Sequence, residues 1–159
     1  MDKFRVGFGY DVHQLVSGRE LIIGGISIDF HKGALGHSDA DVLIHALSDA
    51  LLGAAGLEDI GHYFPDSDAK WKDADSSIIL KEVVRLIAKQ GYRVNNVDTT
   101  IVLQAPRISD HTLAIKTKIA SILETDVNDI SIKATTTEHL GYIGNGDGIA
   151  AFAVVSITG

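Results

Sequence analysis

The apolar positions of this chain recur with the period of a strand at its start and end, and with the period of a helix in three stretches between. "KFRVGFGYDVH", residues 3–13, reads as an opening strand. "RELIIGGISIDF" reads as a strand or hairpin broken at Gly24-Gly25, and "HKGALGHSD", polar and glycine-bearing, as a loop. "ADVLIHALSDALLGAAG" is predicted to be a helix, with Ser38 or Asp39 as its N-cap and Gly56 near its stop. "LEDIGHYFPDSDAKWKDAD" is a long acidic loop, of a length more often functional or mobile than idle. "SSIILKEVVRLIAKQG" is an amphipathic helix ended by Gly91.

The second half continues the alternation. "NNVDTTIVLQ" is a strand, and "SDHTLAIKTKIASILE" is a helix with Ile115, Ile119 and Ile122 along one face. "DISIKATTT" is a strand, "EHLGYIGNGDG" a glycine-rich turn region, and "IAAFAVVSIT" a final strand. That last strand is apolar nearly throughout, which predicts burial on both sides, the second cover being another subunit. No clean βαβ repeat emerges. The expected class is α+β: a two-layer sandwich, one mixed sheet covered by helices on one face, in a single domain spanning 1–159.

Composition narrows the class further. The 159 residues suffice for one domain with a real core, and 45% hydrophobic with 22% charged residues is ordinary for a globular protein. No run approaches the roughly 18 uninterrupted apolar residues of a membrane span. The start lacks the regions of a signal peptide, so a cytoplasmic bacterial protein or a mature plastid protein is expected. The chain has no cysteine, so disulfides and thiolate metal ligands are ruled out. A net charge of −7 argues against a broad nucleic-acid or membrane surface. An anionic ligand would need local compensation by a metal, a few basic groups or helix N-termini.

Candidate chemistry sits in four segments. In "GYDVHQL", alternation along a strand points Asp11 and His13 the same way. In the helix that follows, Asp41, His45 and Asp49 share one stripe at i, i+4 spacing, a polar seam among apolar neighbours that must be satisfied. Asp11, His13 and His45 would make a two-histidine, one-carboxylate set, a usual arrangement for catalytic zinc and suitable for other divalent metals. Asp41 or Asp49 could then hold a ligand imidazole from its outer side. The same residues also fit a polar strand end and a satisfied core histidine. "GHSDAD" fits an anion site only with a cation between, and otherwise a plain helix cap. "DIGHYFPDSD" offers carboxylates to hydroxyl groups or a metal, or is a solvated loop. "KATTTEHLGYIGNGDG" brings hydroxyls and free backbone N–H groups that cradle phosphates, with Glu138 as a magnesium ligand, or it is a glycine-rich hairpin.

Taken in order, "GYDVHQL", "IIGGI", "HSDADVLIHALSDALLGAAGLEDIGHYFPDSD", "GYRVNNVDTTIVLQAPR" and "IKATTTEHLGYIGNGDGIAA" resemble the 2-C-methyl-D-erythritol 2,4-cyclodiphosphate synthase family from end to end. The resemblance implies a homotrimer with sheets packed around a three-fold axis and active sites between subunits. It implies zinc, or another divalent transition metal, on Asp11, His13 and His45, and magnesium or manganese on Glu138 and the substrate diphosphate. His37 and Thr136 would flank the reacting phosphates. Ser38, Asp59, Gly61, Asp66 and Asp68 would meet the substrate hydroxyls. The stretch Leu103, Gln104, Ala105, Pro106, Arg107, Ile108 and Ser109 would form a cytosine pocket, with Thr135 near the nucleotide phosphates. Ile60, Phe64, Pro65, Thr137 and Tyr142 are expected as further substrate contacts.

The implied reaction is an intramolecular phosphoryl transfer on a cytidine diphosphate substrate. It releases CMP and belongs to isoprenoid precursor synthesis. Some members are fused to a cytidylyltransferase, for which 159 residues are expected to leave no room. Two positions depart from the family's usual pattern. Asn145 stands where an arginine is common, and Arg107 where a lysine is. A metal-dependent phosphate-ester hydrolase and a non-catalytic module that binds CMP or CDP with zinc are the rival readings.

Overall fold

The computed structural model describes residues 3–159, so the first two residues of the expected 1–159 domain lie outside the described residues. Two long strands, β1 (Phe4–Ser17) and β7 (Gly148–Thr158), pair antiparallel without a break from Phe4↔Thr158 to Gln14↔Gly148. The other edge of β7 pairs antiparallel with β5 (Arg93–Val102), which pairs parallel with β6 (Ile130–Thr135). A short strand, β4 (Lys32–Ala34), closes the far edge, giving one mixed five-stranded sheet in the order β4-β1-β7-β5-β6. The segment 31–39, expected to be all loop, therefore begins with a strand. Three residues on a sheet edge are too few to show a period.

Three helices cover one face: α1 (Val42–Ala54), α3 (Ser76–Lys89) and α4 (Thr112–Leu123). Together with the sheet they make the predicted α+β arrangement. α4 buries Ile115, Ile119 and Ile122 as their spacing predicts. α3 buries only one stripe, Ile79, Leu80, Val83 and Ile87. α1 is buried nearly all round, as its composition demands of a helix set between a sheet and another helix. Among the described residues no helix is long and apolar enough to cross a membrane.

α1 lies unusually close to the sheet. A Cβ built on Gly7 would sit 1.9 Å from the Ala50 carbonyl oxygen, and one on Gly9 1.9 Å from that of Ala46. The helix rests on bare strand backbone. Among the described residues, the opposite face of the sheet carries no helix. Phe4, Val6, Phe8, Tyr10 and Val12 of β1 are exposed there, with Phe152 and Val154 of β7. The final strand is thus open on that side within one chain, not buried on both faces.

The N-cap of α1 is Asp41, not Ser38 or Asp39. Its carboxylate accepts from Ile44 N at 3.1 Å. It also accepts from Gly24 N at 2.9 Å and Gly25 N at 2.7 Å. Those two glycines form the turn between β2 (Leu21–Ile23) and β3 (Ile26–Ile28), both with positive φ, so the hairpin reading holds. One buried carboxylate therefore starts a helix and pins a hairpin. Burial raises its pKa to about 6 against the pull of the three N–H donors, with the charge of Asp39 adding to the rise.

Two outcomes follow for stability. Gly9→Ala is expected to cost on the order of 3 kcal/mol, the upper end for overpacking, read as a lower urea midpoint. An unchanged midpoint would mean that α1 does not sit on β1 as described. Asp41 holds its proton more tightly when folded than at its ordinary 3.8. Its contribution to stability therefore falls as pH rises from about 4 to about 6, then stays level. The stability difference between the wild type and Asp41→Asn, both with chelator present, should shrink over that window. A difference that grows there would show Asp41 ionised throughout.

Candidate active site

β1 turns Asp11 and His13 to the helix-covered side of the sheet, and α1 brings His45 across to meet them. Asp11 Oδ2 lies 2.8 Å from His13 Nε2 and 3.1 Å from His45 Nδ1. The two imidazole nitrogens are 3.2 Å apart. Among the described residues, this is the one cluster of three or more ligand-type side chains compact enough to hold a metal. Burial pushes the Asp11 carboxyl up, but hydrogen bonds and charge from His13 and His45 outweigh it and hold the pKa at about 2. Burial likewise opposes charge on His13. Its bonds to Asp11 and to the Leu35 carbonyl win, and its pKa is raised.

The donor set fits a divalent transition metal. His13 Nδ1 lies 2.9 Å from the Leu35 carbonyl oxygen. A carbonyl only accepts, so Nδ1 carries a proton in either charge state and Nε2 is the atom left for a cation. His45 Nε2 lies 3.0 Å from Ser76 Oγ and 3.2 Å from Ser38 Oγ, leaving Nδ1 on the side of Asp11. Two nitrogens and one carboxylate oxygen leave a coordination position for a ligand. The stripe reading of α1 needs one correction. Asp41 is taken by Ile44, Gly24 and Gly25, and Asp49 accepts from Ile60 N at 2.8 Å, so neither backs an imidazole. Burial raises the pKa of Asp49 in that position.

The triad lies in the wall of a cavity of about 530 Å³ that gathers residues from both predicted segments. His37, Ser38, Ile60, Gly61, Phe64, Pro65 and Asp66 line it, together with Ser67, Trp71 and Ile79, which the sequence reading did not single out. Inside the 57–75 loop is a short helix, α2 (Ile60–Tyr63), started by Asp59, whose carboxylate accepts from His62 N at 2.9 Å. Asp68 starts the next turn by accepting from Lys70 N, and its carbonyl lies 3.4 Å from His37 Nε2. Within one chain Asp59 and Asp68 serve the loop and do not line the cavity.

A second cleft, of about 490 Å³, shares no lining residue with the first. Leu103, Gln104, Pro106, Arg107, Ile108 and Ser109 line it, with Thr135 and Thr136 and the unforeseen Thr112 and Ala134; Ala105 does not. Thr136 Oγ1 donates to Glu138 Oε1 at 3.1 Å, and Gln104 Oε1 accepts from His139 N at 3.1 Å. Glu138 is exposed and belongs to no group of three or more ligand-type side chains among the described residues. Thr137 donates to the Leu140 carbonyl. Tyr142 sits in α5 (Gly141–Gly144), a short helix where a turn was expected, with its ring against Gly148. Neither Thr137, Glu138 nor Tyr142 lines either cleft.

Residues 4–158 match the YgbB family. A Bacteroides fragilis protein named 2-C-methyl-D-erythritol 2,4-cyclodiphosphate synthase is 54% identical over 155 residues, covering 98% of each chain. Among solved structures, the bifunctional IspDF of Campylobacter jejuni superposes with a TM-score of 0.95 at 40% identity, over 99% of this chain and 43% of that longer one. The IspF of Plasmodium falciparum, solved as a CDP complex, gives a TM-score of 0.85 at 36% identity over 97% and 95% of the two chains.

Because protons compete with a cation for the His13 imidazole, whose pKa is raised, zinc affinity should weaken as pH is lowered from neutral into the acid range. Asp11 stays ionised throughout, since its pKa lies near 2. Competition titration against a chromophoric chelator reads this directly. A zinc affinity that does not move with pH would remove His13 from the candidate ligand set.

Proposed function

The chain belongs to the YgbB family, and we propose that it is a 2-C-methyl-D-erythritol 2,4-cyclodiphosphate synthase. The observation that carries the reading is the convergence of Asp11, His13 and His45 at a cavity, in a chain 54% identical to a protein of that name. The substrate is 4-diphosphocytidyl-2-C-methyl-D-erythritol 2-phosphate. An oxygen of its 2-phosphate bonds to the β-phosphorus of the diphosphate. The bond from that phosphorus to the bridging oxygen breaks, and CMP leaves with the bridging oxygen. No water is consumed and no side chain is covalently modified.

Two anionic groups must be brought together against their mutual repulsion. Asp11, His13 and His45 would hold zinc or another divalent transition metal, and Glu138, beside the Thr136 hydroxyl, would hold magnesium or manganese. Such ions screen the repulsion and act as Lewis acids on the phosphate oxygens. The residues of the chain do the positioning, which for a ring closure supplies much of the rate. His37 and Thr136 flank the reacting phosphates and stabilise the transition state. Ser38, Gly61 and Asp66 orient the methylerythritol part, with Ile60, Phe64 and Pro65 shaping its wall and Asp59 and Asp68 at its margin. Leu103–Ser109 receives the cytosine, Thr135 the nucleotide phosphates, and Thr137 and Tyr142 the adjoining part of the substrate.

The two clefts share no residue within one chain, which supports a site assembled between subunits. The open sheet face supports the same assembly. A patch with Phe4, Phe8, Tyr10 and Phe152 is suited to burial against copies of itself around a three-fold axis. The assembled enzyme would work in the cytoplasm, without nucleic-acid or membrane partners.

Phosphorus NMR of the substrate with zinc and magnesium tests the proposal. Wild type is expected to yield CMP and a cyclic diphosphate in equal amounts, and His45→Ala to yield neither. Linear phosphates and orthophosphate would instead identify a hydrolase. Bound nucleotide without turnover would identify a binding module.

A further inference from the structure

The side of His45 that faces away from Asp11 is unusually well built. Ser76, the first residue of α3, is wholly buried, with its hydroxyl 3.0 Å from His45 Nε2. That hydroxyl also makes a short hydrogen bond to Asp39 Oδ1. Asp39 in turn accepts from Ser76 N through Oδ2 at 3.0 Å and from Asp41 N through Oδ1 at 3.2 Å. Both carboxylate oxygens therefore face fixed backbone donors, and Asp39 acts only as an acceptor. Proton bookkeeping then runs one way. The Ser76 hydroxyl must give its proton to Asp39, so its oxygen accepts from His45 Nε2–H, and His45 Nδ1 keeps its lone pair.

This arrangement is more than a helix cap. Asp75 already caps α3 by accepting from Ser77 N at 2.8 Å. The loop that carries His37 and Ser38 is also fastened to the stretch before α3, through Asp73 N to the His37 carbonyl at 2.8 Å and Asp39 N to the Ala74 carbonyl at 3.1 Å. The pairing of this serine and aspartate is not visible in sequence, since 37 positions separate them.

We propose that Asp39 and Ser76 are positioning residues of the metal site. Through the order Asp39, Ser76, His45 they fix the imidazole in the Nε2–H tautomer and aim Nδ1 at the cation. The inference rests on the metal-centre reading of Asp11, His13 and His45, and it assigns the outer support of one ligand to the junction of two cavity-lining segments. Outer partners of this kind typically change metal affinity by about 10–100-fold when removed.

Cobalt(II) titration of the full chain tests it, alongside NMR of the histidine ring nitrogens. Ser76→Ala is expected to weaken cobalt binding about 10–100-fold and to let His45 sample both tautomers. Ser77→Ala, which removes the neighbouring buried hydroxyl that has no hydrogen-bond partner among the described residues, should leave both unchanged. If Ser76→Ala does not fold, Asp39→Asn carries the same measurement, because its NH₂ must oppose one of two backbone N–H groups. Wild-type affinity in Ser76→Ala or, where it does not fold, in Asp39→Asn would overturn the inference. So would an equal loss in Ser77→Ala, or a wild-type His45 protonated on Nδ1. A wild type that takes up no cobalt would overturn the metal-centre reading as well.

Discussion

Everything at the candidate active site depends on how closely α1 approaches β1. At Gly7 and Gly9 the strand offers no side chain, and the carbonyl oxygens of Ala46 and Ala50 occupy the space where a Cβ would be. The approach brings His45, one position before Ala46, across to Asp11, two positions after Gly9, until their polar atoms are 3.1 Å apart. A side chain at either glycine would push the helix off the sheet and open that gap. The small residues at this contact therefore help to set the candidate metal site, although none of them belongs to its ligand-type triad.

The same closeness creates a polar problem. A helix buried nearly all round carries Asp41, His45 and Asp49 on one stripe, and each needs a partner inside the protein. The structure solves the three separately. Asp41 ties the helix start to the β2–β3 hairpin, Asp49 holds the first residue of α2 through Ile60 N, and His45 faces Asp11 on one side and Ser76 on the other. The carboxylates thus fasten two other segments to a rigid helix, one of them the cavity-lining start of α2, and the imidazole is left facing the Asp11–His13 pair. A seam that would be costly if unsatisfied becomes the framework of the site.

Much of this was legible in the sequence, for identifiable reasons. The period of two put Asp11 and His13 on one face, and the helical period put His45 on a seam. Resemblance supplied His37, Ser38 and the 103–109 stretch, most of which line the two clefts. What was not legible shares one cause, which is partners far apart in the chain. The spacing of four residues suggested Asp41 or Asp49 behind the imidazole. A serine and an aspartate that look like ordinary helix-start residues do that work instead. The strand β4 was missed because three edge residues show no period, and Trp71 and Ile79 because a loop and a helix face reveal their cavity only when folded.

The two faces of β1 carry different tasks. Asp11 and His13 point to the covered side, while Tyr10 and Val12, their immediate neighbours, lie on the open side with Phe8 and the Phe152 ring of β7. Alternation makes this possible and also binds the two tasks together. A slip of one residue would send the ligands to the open face and the aromatic rings into α1. The pairing with β7 runs from Phe4 to Gln14 with no bulge, so the register that sets the ligands is the register that sets the apolar face. If that face packs on other copies of the chain, as proposed, assembly holds β1 from one side while α1 and the cation hold it from the other. Metal binding and subunit association would then act on a single rigid strand.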